Sequence, residues 1–194
     1  MMRTAIVSIA LSHATMVAVM AMTPVHLVHH GASLAIVGFT ISLHIAGMYA
    51  LAPVFGVMSD RLGRTPTILV GQVILVVSLL LTGFGSENEM AVVAGLVLLG
   101  LGWSAATVAG STLLTESTSI ARRPKVQGIS DLVMSGSGAA GGALAGVALA
   151  FLGYDGLSFV ALVLVAAVVF RVLMTRRQAT PPVGAASEVP TFDI

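Results

Sequence analysis

Apolar residues run through this chain in long unbroken stretches, not in the alternation of a half-buried strand or the one-sided stripe of a soluble helix. Polar punctuation cuts it into six stretches, at residues 4–28, 33–57, 66–84, 90–114, 126–152 and 156–175. A helix needs about 20 apolar residues to cross the hydrocarbon core of a bilayer, and each stretch is close to that or longer. Membrane strands are shorter, about 9–11 residues, and alternate in polarity. The pattern therefore predicts an all-α, polytopic membrane protein with six transmembrane helices and no length left for a soluble domain. The first stretch outruns the apolar core of a cleaved leader, about 7–15 residues, and carries His13 inside it, so it is expected to stay as a helix. Residues 1–177 are then the bundle. Residues 178–194, broken by prolines and polar side chains, are expected to form a disordered cytoplasmic tail.

Composition narrows the function. Of 194 residues, 57% are hydrophobic and 9% charged, against about 25% charged in an ordinary soluble domain, and the mean hydropathy is +1.02. A net charge of +1 with nine Lys and Arg gives no basic face for nucleic acid. With no cysteine there is no disulfide, thiolate metal site, iron–sulfur cluster or cysteine nucleophile. The charges also orient the chain. Arg3, Arg61, Arg64, Arg122, Arg123, Lys125, Arg171, Arg176 and Arg177 all fall on one side of six alternating spans, whereas the other side holds His29, His30, Glu87, Glu89 and Asp155. Basic loops stay cytoplasmic, so both termini are expected inside the cell membrane.

Polar side chains in lipid are kept where they face protein or water. Spans 1, 2, 4 and 5 are rich in them, while spans 3 and 6 are not. The pattern polar–polar–apolar occurs twice, which predicts two three-helix repeats with the third helix of each at the periphery. Span 5 also carries Gly138, Gly142 and Gly146 at four-residue spacing. Such a glycine face lets a neighbouring backbone approach closely, either as one fixed packing surface or as one along which a helix slides.

The loop after span 2 reads Gly56-Val57-Met58-Ser59-Asp60-Arg61-Leu62-Gly63-Arg64-Thr65-Pro66. Glycines at 56 and 63 permit close packing and a tight turn, Asp60 accepts hydrogen bonds or caps a helix, and the arginines anchor the basic rim. This loop resembles the signature loop of the major facilitator superfamily, with Gly56, Asp60, Arg61, Gly63 and Arg64 at its Gly, Asp, Arg, Gly and Arg positions. Met58 and Thr65 depart from the pattern. The resemblance implies half of a twelve-helix secondary transporter, with the loop setting the balance between inward- and outward-facing states. It points to the C-terminal half: the fourth span has no embedded Arg, the fifth lacks a glycine–proline pattern, and a polar tail follows the sixth. Met22-Thr23-Pro24, His44 to Tyr49 and Gln127 to Leu132 are also similar to segments of helices 7, 8 and 11 in bacterial members of that family. The implied activity is secondary transport of a small solute by alternating access, proton-driven by analogy. One bundle lacks the interface around which two would rock, so the expected partner is a separate N-terminal half or a second copy, unless the chain is an inactive truncation. A non-transporting membrane scaffold is the competing reading.

Four residues are placed in the expected solute cavity: His13 and His44 near the middle of spans 1 and 2, Trp103 in span 4, and Asp131 one turn inside span 5. Each histidine either couples a proton to transport or bonds across helices to a Ser, Thr or carbonyl. Asp131 either faces the bundle or pairs at the rim with Arg122 or Arg123. Glu116 is expected to pair with a loop arginine. His29 and His30 are read as solvated turn residues lacking the third ligand a metal needs. No cofactor motif appears. A rhomboid-type serine site has no support, because no histidine follows His44, and the chain is not expected to be an enzyme.

Overall fold

The computed structural model describes residues 1–179, and among them every regular element is helical. In order these are α1 (Met2–His29), α2 (Leu34–Tyr49), α3 (Ala52–Leu62), α4 (Arg64–Phe84), α5 (Glu89–Glu116), a 3-10 turn (Ile120–Arg122) and α6 (Arg123–Ala179). Among the described residues, five stretches are long and apolar enough to cross a membrane: Met2–His29, Leu34–Leu62, Arg64–Phe84, Glu89–Glu116 and Ile120–Thr175.

The boundaries follow local chemistry. The Oγ of Ser33 caps α2 by accepting from Ile36 N, and the Oδ1 of Asn88 caps α5 by accepting from Ala91 N at 3.2 Å. Between Tyr49 and Ala52 the helix breaks. Pro53, one residue further on, has no N–H to offer the Tyr49 carbonyl, and its ring crowds that carbonyl.

The last element is the informative one. At about 1.5 Å per residue, its 57 residues would far exceed a bilayer if straight. It is interrupted at Gly153, where φ is +72° and ψ −179°, a region essentially confined to glycine. The two arms then lie on the same neighbours. In the first, Ser137 Oγ donates to the Ala10 carbonyl at 2.8 Å. At the bend, Tyr154 meets Thr23 hydroxyl to hydroxyl at 2.8 Å. In the second, Ser158 meets Thr82 at 3.0 Å, and Thr175 meets Thr4 at 2.9 Å. The first arm therefore runs parallel to α1, and the second returns antiparallel to it. The helix continues to Ala179; the rest of the tail read from the sequence, 180–194, lies outside the described residues.

Between α1, α4 and α5 sits the main core, with Val19, Leu75, Leu79, Val92, Leu96 and Leu99 almost fully buried. Polar rivets cross it. Gln72 Nε2 donates to Ser12 Oγ at 2.9 Å, and Ser78 Oγ to the Gly95 carbonyl at 2.7 Å. In a medium with no competing water such bonds contribute about 0.6–2 kcal/mol each. Coverage is uneven: 61% of the most apolar stretch of α5 is buried, but only 22% of that in Leu34–Leu62.

Candidate functional site

Midway along α1 the imidazole of His13 faces α5. Trp103 Nε1 donates to His13 Nδ1 at 3.0 Å, with the ring centroids 5.9 Å apart. An indole N–H can only donate, so Nδ1 is the lone-pair nitrogen and the neutral ring carries its proton on Nε2. The far edge of the ring lies against Gly138 of α6: a Cβ built there would stand 2.7 Å from His13 Cδ2 and 2.8 Å from Nε2. Tyr49, at the end of α2, meets Trp103 in a T-shaped arrangement with centroids 6.3 Å apart. Trp103 is buried, His13 half-buried and Tyr49 62% exposed. The three form an aromatic cluster opening from the centre of the bundle to an uncovered face.

The other two residues read from the sequence lie elsewhere. His44 is fully buried between α2 and α5, where its Nδ1–H donates to the Leu96 carbonyl at 2.8 Å and Nε2 has no partner. Leu96 precedes Trp103 by about two helical turns, so His44 stands apart from the His13–Trp103 contact. Asp131 is exposed and accepts from Gln127 Nε2 at 3.1 Å. Arg123 turns away from it, its Nε donating to the Thr115 and Thr118 carbonyls at 3.2 and 3.4 Å. Of the spaced glycines, Gly138 lies against His13 and a Cβ on Gly142 would touch Val17 at 3.4 Å, while Gly146 has nothing within 4 Å. Close approach to the α1 backbone falls instead to Gly141, where a Cβ would stand 2.8 Å from the Ala14 carbonyl oxygen.

At the arginine-bearing end, the loop between α3 and α4 is built on Gly63, with φ +96° and ψ 160°. That single residue ends one helix and starts the next. The turn lets Arg64 reach two acids. Its Nη1 donates to Asp60 Oδ1 at 2.5 Å, and its Nη2 to Glu116 Oε1 at 2.6 Å, with Nε 3.1 Å from Glu116 Oε2. Glu116 is the last residue of α5, so the forked contact ties the loop to the central helix. Gly56 has nothing within 4 Å of where a Cβ would stand, and Arg61 is exposed.

The sequence model of the Major Facilitator Superfamily matches residues 5–192. This chain belongs to the major facilitator superfamily. It is 41% identical over 155 residues to the uncharacterized MFS-type transporter YdeG of Bacillus subtilis (strain 168), covering 79% of this chain and 36% of that one. To YddS, another uncharacterized MFS-type transporter of that organism, it is 39% identical over 155 residues with the same coverage. The riboflavin transporter RfnT of Brucella anthropi is 27% identical over 177 residues, 91% of this chain and 43% of its own. The chain thus spans well under half the length of these relatives. It is a multi-pass membrane protein of a transporter family, not an enzyme.

Two features escaped the sequence. Tyr49 was visible as a polar position but not as a neighbour of Trp103. The opposite end of the bundle carries a second cluster: His26 stacks on Tyr154 with centroids 4.2 Å apart and planes 13° apart, and His30 Nε2 lies 3.4 Å from Glu87 Oε1. This cluster borders a cavity of about 430 Å³. Its members are 60 or more residues apart in pairs such as His26 and Ser86, and no local motif joins them.

Proposed function

We propose that the chain is one half of a secondary transporter, carrying a small solute by alternating access against a second bundle. On this reading residues 1–177 form six crossings at 4–28, 33–57, 66–84, 90–114, 126–152 and 156–175, in two three-helix repeats. The bend at Gly153 separates the last two. Both termini and the basic loops face the cytoplasm, and the membrane is the cell membrane.

One observation carries the proposal. Two of the four polar-rich spans, the second and the fifth, lie in the least covered stretches: Ser42 and Tyr49 of α2 and Asp131 and Ser135 of the first arm of α6 are exposed. Polar groups facing acyl chains are costly, about 2.5–3.5 kcal/mol for an aspartate on insertion scales. That face therefore suits a water-filled cavity shared with a partner bundle, either an N-terminal half or a second copy. His13, Trp103 and Tyr49 supply aromatic and hydrogen-bonding surface on it, with Asp131 bordering, while His44 stays buried behind α2. A planar aromatic solute suits such a lining, and riboflavin, named for the Brucella relative, is the first to try.

The test is uptake of radiolabelled riboflavin into vesicles holding the full chain, with and without an imposed proton gradient. The mass of the detergent-solubilised species is measured alongside. Uptake confined to an assembly of two bundles is expected. A stable single bundle that transports well overturns the need for a partner. Abundant, inserted chain that binds and moves no solute with any partner half overturns the transport reading.

A further inference from the structure

The Trp103–His13 bond is, among the described residues, the one side-chain hydrogen bond joining α1 to α5, the two most buried candidate spans. Its chemistry restricts it to one protonation state. Imidazole gains its second proton at whichever ring nitrogen is bare. Here that nitrogen is Nδ1, and its lone pair already receives the Trp103 N–H. A proton arriving there puts N–H against N–H, and the contact cannot survive. The opposite edge of the ring cannot retreat, because it already lies against Gly138 where a Cβ would stand under 3 Å away.

We propose that the His13–Trp103 pair is a proton-released clasp: protonation of His13 at Nδ1 unhooks Trp103 and unties α1 from α5 beside the solute-facing cluster. The proton comes from water, the ring becomes an imidazolium, and Trp103 keeps its own N–H. Trp103 is then a positioning residue, fixing which nitrogen of His13 accepts the proton. The coupling role of the clasp rests on the transport reading above; the clasp itself does not.

Titratable groups on the surrounding helices leave His13 to act alone. On α5, Glu89 and Glu116 stand at its two ends. On α2, His44 is committed to Leu96 and Tyr49 touches Trp103. On α6, Asp131 precedes Gly138 by about two turns and pairs with Gln127. On α1 itself, His26 is at the far end, bonded to the Ser86 carbonyl. Within the described residues, none makes a hydrogen bond or ion pair with His13.

The chain has one tryptophan, so its intrinsic fluorescence reports Trp103 alone. With the full chain in lipid vesicles and no solute present, emission is followed from about pH 8 to pH 5, the range in which histidine titrates. A single sigmoidal step is expected in the wild type. His13→Asn, whose amide oxygen takes the place of Nδ1 as acceptor but does not titrate, is expected to abolish the step and hold the high-pH signal. His30→Gln should leave the step in place. Should the Asn variant fail to insert, Gly138→Ala is the second: its methyl displaces the ring, and the step should shrink at least twofold. A flat wild-type trace, or a step that persists in His13→Asn, overturns the clasp. A His13-dependent step in chain that moves no solute with any partner half keeps the clasp and removes the transport reading, so the two fail separately.

Discussion

Arg64, the first residue of α4, grips Glu116, the last of α5, through both Nη2 and Nε while its Nη1 holds Asp60 one turn back. Fifty-two residues of sequence separate the two ends of this fork. Both acids are largely exposed, at 70% for Asp60 and 52% for Glu116. Exposed ion pairs contribute about 0–1 kcal/mol to stability, so the fork's use lies in geometry: it fixes how the loop sits on the central helix.

Replacing Arg64 with lysine keeps the charge but loses the planar fork. Abundance and thermal midpoint should change little, because a solvent-screened ion pair adds little to stability. If the loop sets the balance of states, uptake should fall about tenfold, which is roughly 1.4 kcal/mol of altered equilibrium. Exchanging the charges as Arg64→Glu with Glu116→Arg should recover part of it. Equal loss of abundance and uptake in the lysine variant would make the contact purely structural.

Gly63 and Gly56 stand seven residues apart in the same loop segment in different physical settings. At Gly63 the backbone has φ +96° and ψ 160°, which costs a side-chain-bearing residue about 1–3 kcal/mol, so Gly63→Ala should lower the thermal midpoint and the inserted yield. Gly56 lies inside α3 with open space where a Cβ would stand. There alanine should be tolerated or slightly stabilising, by about 0.5–1 kcal/mol from helix propensity. Parallel melting curves of the two variants decide it. A destabilised Gly56→Ala would mean that a partner surface packs there.

The apolar stretches and the turn inside the Gly56–Arg64 motif are legible in the sequence, the first because a bilayer imposes coarse demands that every span must meet on its own. The motif needs only local spacing, and Gly63 announces the turn it makes. What hydropathy cannot give is the rotation of a helix that is apolar all round. His13 and His44 look equivalent, mid-span and lone. Yet one meets Trp103 and the other turns to the Leu96 carbonyl, because α2 and α5 approach closely there: a Cβ on Gly47 would stand 2.8 Å from the Val97 carbonyl oxygen. The glycine series at 138, 142 and 146 likewise names a helix face but not its neighbour. The tight contact with the α1 backbone falls at Gly141, outside that series, while Gly138 meets the His13 side chain.

For His44 this geometry predicts a structural phenotype. Its Nδ1–H satisfies a carbonyl between α2 and α5, and the ring is fully buried. His44→Ala removes the donor and opens a void, so a loss of about 0.5–1.5 kcal/mol is expected from the lost hydrogen bond alone, seen as a lower thermal midpoint. The shape of the pH profile of uptake should be unchanged in whatever protein survives. A flattened pH profile at undiminished stability would instead make His44 the proton site.

At the opposite end, His30 predicts a pH dependence with a definite sign. Its Nδ1–H is given to the His26 carbonyl at 2.9 Å, and its Nε2 points at Glu87, so both ring nitrogens want a proton. The His30 pKa is raised above the ordinary histidine value, chiefly by the bond to His26, with burial opposing it and the Glu87 carboxylate adding to the rise. A raised value means that the folded state holds the proton more tightly than the unfolded one. The clamp between the end of α1 and the turn before α5 is therefore complete below the usual histidine pKa, about 6.5. It is lost as pH climbs through the higher folded value. Amide exchange at 86–88, measured at about pH 6 and pH 8 after correction for intrinsic rates, should show weaker protection at the higher pH. His30→Gln should remove most of that difference without touching the fluorescence step at Trp103. Because Glu87 is 85% exposed, added salt should weaken the carboxylate's share and leave the bond to His26 in place. Protection that instead rises with pH would mean that His30 enters the fold as the neutral ring.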